Sequence, residues 1–253
     1  MSEGVQPPTL TAAEVERYSR QLLLPEMGEE EQLRLRAATV ALIGCGGLGV
    51  AAAPYLAGAG VGAIRLFDPD LVEVHNLHRQ VAFGEADLGA PKALALARRL
   101  RQLNPLTDVG FEVRRVGPSD LPSALAGVDL VLECTDDPRS KFGLNDWAVG
   151  SGNPAVIGGA MAMRGQVVIV LPGSPCYRCL FKTPPASAVS CQTAGVLGPL
   201  VGVIGALQAL LAVEALSGTL FGAAGRLWDL DGAALRWREI RFERDPRCPS
   251  HPF

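Results

Sequence analysis

Lysine is nearly absent from this chain: Lys92, Lys141 and Lys182 stand against twenty arginines. The bland reading of that bias is genome composition, and it makes each lysine easier to assess. An excess of positive charge is missing too. The net charge is -3, which removes the usual reason to expect nucleic acid or an anionic membrane surface as partner. Charged residues are only 19% against 48% apolar, which excludes a disordered chain. The N-terminus lacks a charged-then-apolar leader, so the expected location is cytoplasmic. No internal repeat, low-complexity tract or convincing linker interrupts the 253 residues, and that length suits one domain of α/β type. Six cysteines without a leader read as metal or redox chemistry, not as a disulfide framework.

One long apolar run is present. Val196 to Val213 carries a single polar residue, Gln208, and contains Pro199, Gly202 and Gly205. A membrane span needs about 20 apolar residues. This run predicts instead a buried or interface helix beginning near Pro199, since proline is tolerated in a first turn.

Thr39 to Ile43 reads as a buried strand that runs into Gly44-Cys45-Gly46-Gly47-Leu48-Gly49, followed by an Ala-rich helix from Val50 to Ala59. Such glycines permit a tight turn and close approach of a phosphate to a helix N-terminus. A second strand, Ala63 to Phe67, ends at Asp68, about 20 residues past the loop, where an acid can bind ribose hydroxyls. Helices are expected over Ala12 to Leu24, Pro91 to Leu103 and Pro138 to Val149. Strands are expected over Asp108–Val113, Val128–Cys134, Val156–Gly158, Gln166–Leu171, Arg226–Leu230 and Leu235–Phe242. Strands alternating with helices predict a Rossmann-like, doubly wound, mostly parallel sheet, and the late adjacent strands predict an antiparallel C-terminal extension.

The loop alone suggests a dinucleotide. Asn76-Leu77-His78-Arg79-Gln80 and then Lys92 form a cationic rim better suited to a triphosphate. Asp136, after a strongly apolar strand, is a natural Mg²⁺ ligand beside phosphate, because Mg²⁺ takes one or two carboxylates plus phosphate oxygens. Its alternative is an N-cap on the following helix. Cys176-Tyr177-Arg178-Cys179 and Cys248-Pro249-Ser250-His251 supply a Cys₃His set suited to tetrahedral Zn²⁺; a redox dithiol is the alternative, disfavoured because no helix N-terminus obviously lowers a thiol pKa there. Cys45 and Cys134 read as small buried hydrophobes. Cys191 lies in a polar loop, as a nucleophile or as an ordinary loop cysteine. Gly158, Gly159 and Gly165 could admit the backbone of a threaded chain.

Taken together, GCGGLG, NLHRQ, Pro91-Lys92, Cys134-Thr135-Asp136, CYRC and CQTAGVLGP resemble the MoeB/ThiF family, bacterial relatives of ubiquitin-activating enzymes, over nearly the whole chain from Arg17 onward. The resemblance implies one adenylation domain over residues 1–253, with a helical arm at about 12–36, a nucleotide-binding core at about 37–150 and a carrier- and zinc-bearing part at about 151–253. It implies a homodimer that uses ATP and Mg²⁺ to adenylate the C-terminal glycine of a ubiquitin-like sulfur carrier ending in Gly-Gly, for molybdopterin, thiamin or tRNA thiolation. Gly47 would contact nucleotide, and Asp68 would bind ribose. Asn76, Arg79 and Lys92 would hold the triphosphate, with Asp136 at the Mg²⁺ site. Arg20 would reach the partner protomer's ATP, and Cys191 would capture the activated carrier. Three departures stand out. His251 replaces the usual fourth zinc cysteine, Asp137 replaces the usual asparagine, and no rhodanese segment follows, so the expected sulfur donor is a separate cysteine desulfurase or rhodanese. The competing functions are an NAD-dependent oxidoreductase, a non-catalytic zinc-stapled binding homologue and ATP-dependent dehydration of a tRNA base.

Overall fold

The computed structural model describes residues 9–184, 195–220 and 222–251. Eight strands form one sheet in the order β3-β2-β1-β4-β5-β6-β7-β8. They are β1 (Thr39–Ile43), β2 (Ala63–Phe67), β3 (Asp108–Glu112), β4 (Leu130–Glu133), β5 (Ala155–Met161), β6 (Arg164–Val170), β7 (Arg226–Asp231) and β8 (Arg236–Arg241). β1 to β5 run parallel, and β5 to β8 are antiparallel neighbours. The antiparallel half therefore starts at β6, earlier than the last two strands. The glycines of β5 hide its length in the sequence. The hairpin register, with Gly158 opposite Val167 and Gly159 opposite Gln166, carries it to Met161.

The helices are α1 (Ala12–Tyr18), α2 (Glu29–Ala37), α3 (Gly47–Ala59), α4 (Lys92–Leu103), α5 (Leu121–Ala124), α6 (Pro138–Ser151), α7 (Tyr177–Leu180) and α8 (Gly198–Ser217). Alternation along β1 divides the core. Val40 and Leu42 face α3, α4 and α8, while Ala41 and Ile43 face α5, α6 and α7. Buried leucines such as Leu56, Leu96 and Leu132 fill the first layer.

Helix α1 ends at Tyr18, shorter than its periodicity predicts. A capping box between Thr11 and Glu14 starts it. Beyond Tyr18 the chain turns so that the Gln21 amide reaches the Ala59 carbonyl at 3.1 Å. Helix α8 is long and apolar enough to cross a membrane, yet it packs on α3, β5 and β6 with half of its apolar stretch buried. Close approach is possible because Gly205 lacks a Cβ, which would lie 2.6 Å from the Leu48 carbonyl.

Its lone polar residue within the apolar run, Gln208, is fully buried. The Gln208 amide donates to the Glu133 carbonyl at 2.9 Å and the Val156 carbonyl at 3.2 Å, joining β4 to β5 from above. Gly158 and Gly165 are accounted for by this helix: a Cβ on either would overlap Gln208 or Ile204. Of the three glycines expected to admit a threaded chain, Gly158 and Gly165 serve helix packing first, because α8 lies directly against β5 and β6.

Candidate active site

A cleft of about 1060 Å³ opens beyond the carboxyl ends of the parallel strands. Gly44, Gly46, Gly47, Asp68, Asn76, Arg79, Lys92 and Asp136 all line it, although they are spread over more than ninety residues of sequence. The loop after β1 shows why its glycines are needed. Gly44 has φ +99°, and a Cβ there would lie 2.9 Å from the Cys134 backbone. A Cβ on Gly49 would overlap the Gly44 carbonyl, so loop and helix could not close together. Gly46 caps α3 without a side-chain hydrogen bond, which leaves the first N–H groups of the helix for an anion.

Asp68 is 5% exposed. Its carboxylate accepts from the Cys45 N–H at 2.6 Å and the Asp70 N–H at 2.8 Å, bracing the loop while each oxygen keeps a second lone pair. Burial raises its pKa, against the pull of those two donors and of Lys92. Lys92 is itself buried at the start of α4, with its ammonium 3.0 Å from Asp70. The turn at residues 73–80 is held by Asn76, whose side-chain oxygen accepts from the Glu73 N–H and whose carbonyl accepts from Arg79 and Gln80. Arg79 donates to the His75 carbonyl and meets the His78 ring nitrogen, both at 2.9 Å. Gln80, 2% exposed and lining the same cleft, leaves its Oε1 without a partner among the described residues.

At the end of β4, Asp136 is exposed to the cleft and makes no hydrogen bond or ion pair with the described residues. The helix cap is its neighbour: Asp137 accepts from the Arg139 N–H at 2.9 Å, with Pro138 in the first turn. This corrects the N-cap alternative for Asp136, and it frees Asp136 for a ligand. Arg115 lies 3.8 Å from Asp137, which offsets the extra negative charge there. Beneath both sits a buried ion pair, Glu133–Lys141, that motif reading missed. The scarcity of lysine was the only signal for it.

A second cluster lies behind the cleft. One ligand atom each from Cys176, Cys179, Cys248 and His251 falls within 4.8 Å of the others. The sulfur of Cys176 is 3.8 Å from that of Cys179 and 3.6 Å from that of Cys248. These separations are far too long for a disulfide and match the edge of about 3.8 Å implied by a tetrahedral metal with bonds of about 2.3 Å to sulfur. The buried His251 Nε2 has no hydrogen-bond partner among the described residues. The cluster thus has the donors and spacing to bind a metal ion. Burial pushes the Cys176 thiol up to about 12. At Cys179 burial is outweighed by N–H donors from Asp245 and Cys176, and its pKa falls. Contrary to the sequence expectation, a helix N-terminus is present, because Cys176 caps the one-turn helix α7.

Two expected site residues stand apart. Arg20 is exposed and does not line this cleft. Its neighbour Gln21 is bonded to Ala59, at the opposite end of α3 from the glycine loop. A helix of 13 residues puts these ends about 18 Å apart at about 1.5 Å per residue. Cys191 lies outside the described residues.

Comparison with known proteins follows the same lines. The ThiF family profile matches residues 18–250. The chain is 46% identical over 228 residues to the adenylyltransferase and sulfurtransferase uba4 of Pyricularia oryzae, a match covering 86% of this chain and 45% of that one. It is 42% identical over 247 residues to the sulfur carrier protein adenylyltransferase of Thermus thermophilus, covering 94% of this chain and 91% of the relative. The chain thus spans about half the length of the fungal relative and nearly all of the bacterial one. Crystal structures of Escherichia coli MccB share the fold. The MccB structure with ATP superimposes with a TM-score of 0.81 at 24% identity, covering 92% of this chain and 74% of that one.

Proposed function

The chain belongs to the ThiF family, and we propose that it adenylates the C-terminal glycine of a ubiquitin-like sulfur carrier. The observation that carries this reading is the convergence on one cleft of a helix N-terminus, Arg79, Lys92 and Asp136, which has no partner among the described residues. The 42% identity to the Thermus thermophilus sulfur carrier protein adenylyltransferase, over almost its full length, supports the same substrate class.

The chemistry asks little of a general base, because the carrier carboxylate is already ionised. A carboxylate oxygen attacks the α-phosphorus of ATP; the bond from that phosphorus to the bridging oxygen breaks, and pyrophosphate departs with the electron pair. Charge spreads over the phosphate oxygens. Arg79, Lys92 and the free N–H groups of α3 offset it in a partly dry cleft, where such contacts are strongest. Asp68 orients the ribose while bracing the loop. Asp136 would hold Mg²⁺, which neutralises phosphate charge when bound. Cys176, Cys179, Cys248 and His251 would hold Zn²⁺, which fastens the C-terminal tail to α7.

The protein works as a homodimer in this reading. Arg20 is too far from its own glycine loop to serve it and completes the partner's site. Tyr55 on α3 and Val203 and Leu210 on α8 expose apolar surface suited to a second copy. Cys191 would act only after the acyl-adenylate forms, so Cys191→Ser should keep pyrophosphate exchange and reduce sulfur transfer.

The test is exchange of labelled pyrophosphate into ATP with a purified carrier ending in Gly-Gly. Carrier-dependent exchange is expected, and its absence would sink the reading. Thermal stabilisation by NAD but not by Mg-ATP would favour the oxidoreductase instead.

A further inference from the structure

We propose that Lys141 is a positioning residue for this reaction, fixing Asp136 and the Gly159 wall of the cleft from beneath. The proposal rests on the adenylation reading above. Lys141 is 9% exposed, yet it reaches the cleft from α6. Its ammonium has three protons and three acceptors: the Glu133 carboxylate, the Thr135 carbonyl at 2.9 Å and the Gly158 carbonyl at 2.6 Å. No proton remains for a phosphate, which separates it from Lys92 with its single carboxylate partner. Glu133 is fully buried, and its other oxygen accepts from both the N–H and the hydroxyl of Thr135.

The anchored carbonyls belong to two functional peptides. The Thr135 carbonyl is part of the planar unit that leads into Asp136, so holding it sets the direction of that residue. The Gly158 carbonyl is part of the unit that leads into Gly159, which lines the cleft. One charge therefore fixes the end of β4 relative to the end of β5. Gln208 does the same from the opposite face of the sheet, through the Glu133 and Val156 carbonyls. A carboxylate-bearing turn and a substrate-facing strand held from both faces cannot drift apart, and in-line attack depends on such alignment. A compact ammonium meets three acceptors from three directions.

Carrier-dependent pyrophosphate exchange and thermal unfolding would be compared for the wild type, Lys141→Met and the double variant Glu133→Gln/Lys141→Met. The single variant leaves a buried unpaired carboxylate and is expected to lose stability. The double variant removes both charges, while the amide introduced at position 133 still offers an acceptor to Thr135. We expect its Tm to return close to wild type, with kcat down by about tenfold or more and KM for ATP changed less than about threefold, the signature of lost alignment with nucleotide contacts kept. A double variant with wild-type kcat would reduce the pair to charge neutralisation and overturn the proposal. So would a Tm as low as that of the single variant, or a KM that rises in step with the loss of kcat. Hydrogen exchange gives a readout independent of activity: amides at 135–137 and 158–160 should lose protection in the double variant while α3 and α4 keep theirs. Failed exchange of pyrophosphate in the wild type sinks the adenylation reading and, with it, the positioning role in that reaction, while unchanged protection at those amides sinks the clamp and leaves the adenylation reading standing.

Discussion

Arg79 and Lys92 are cations held ready by different means. Arg79 leans on the His75 carbonyl and the His78 ring, in an exposed turn. Lys92 is buried and balanced by Asp70. Both lose little by turning to a phosphate, because each keeps partners that do not fill its donors. Arg79→Ala or Lys92→Ala should each lower carrier-dependent pyrophosphate exchange by about 100-fold, the scale on which one oriented donor to developing charge acts. Exchange kinetics check this, with circular dichroism showing that the fold is kept. A loss below about threefold for both would remove the triphosphate role, since that is little more than about 0.6 kcal/mol. Gly158 offers a stability counterpart. A Cβ there would overlap the Gln208 amide that bridges β4 and β5. Gly158→Ala should destabilise by about 1–3 kcal/mol, as overpacked cores do, read from urea unfolding.

Helix α6 is the element that joins the two clusters. Its N-terminus carries the Asp137 cap and Lys141 beneath the cleft. One turn later, Asn145 accepts from the Tyr177 N–H at 2.7 Å, and Asp146 takes a two-pronged bond from Arg178 at 2.6 and 2.7 Å. Ser250, between two metal-ligand candidates, donates to Asp146 at 2.6 Å. The Cys-x-x-Cys turn and the C-terminal tail are therefore seated on one helix before any metal is considered. Elemental analysis is expected to give about one zinc per chain, as four donors in a closed set imply. Chelation should lower Tm, because binding to a site absent from the unfolded chain adds to folding stability. His251→Ala should weaken zinc retention in a competition assay. Undiminished retention would remove His251 from the ligand set.

Across the whole molecule, the sheet separates work. The parallel half presents the cleft at its carboxyl edge, and the antiparallel half ends in β8, all of whose residues are exposed. The arm bearing Arg20 lies at the opposite edge of the α3 layer. A site completed in trans follows if two copies pair through the exposed face of α3 and α8. Arg20→Ala and Lys92→Ala chains should each keep only about a hundredth of the activity alone. Mixed after subunit exchange, they should recover about a quarter of wild-type activity, because half of the chains form mixed dimers and each carries one intact composite site. No recovery in verified heterodimers, or full activity in a preparation shown to be monomeric by light scattering, would refute the shared site.

Local chemistry alone determined much of this protein. A glycine loop between a strand and a helix has one steric solution, and an acid at the end of the next strand has one place to stand, so the loop, Asp68 and the parallel half were legible directly. The Cys-x-x-Cys and Cys-x-x-His pairs were legible as donors because their spacing is set within single turns. What remained hidden depended on contacts between distant segments. The length of β5 was masked by Gly158 and Gly159, which make a poor strand signal until β6 pairs with them. The reason for those glycines, the bridge made by Gln208 and the threefold clamp of Lys141 exist only when α6 and α8 close on opposite faces of β4 and β5. Burial turns an ordinary lysine, glutamate and glutamine into fixed struts, because in a dry interior each of their polar atoms must find a partner. Which side chains become buried is decided by packing across the whole chain.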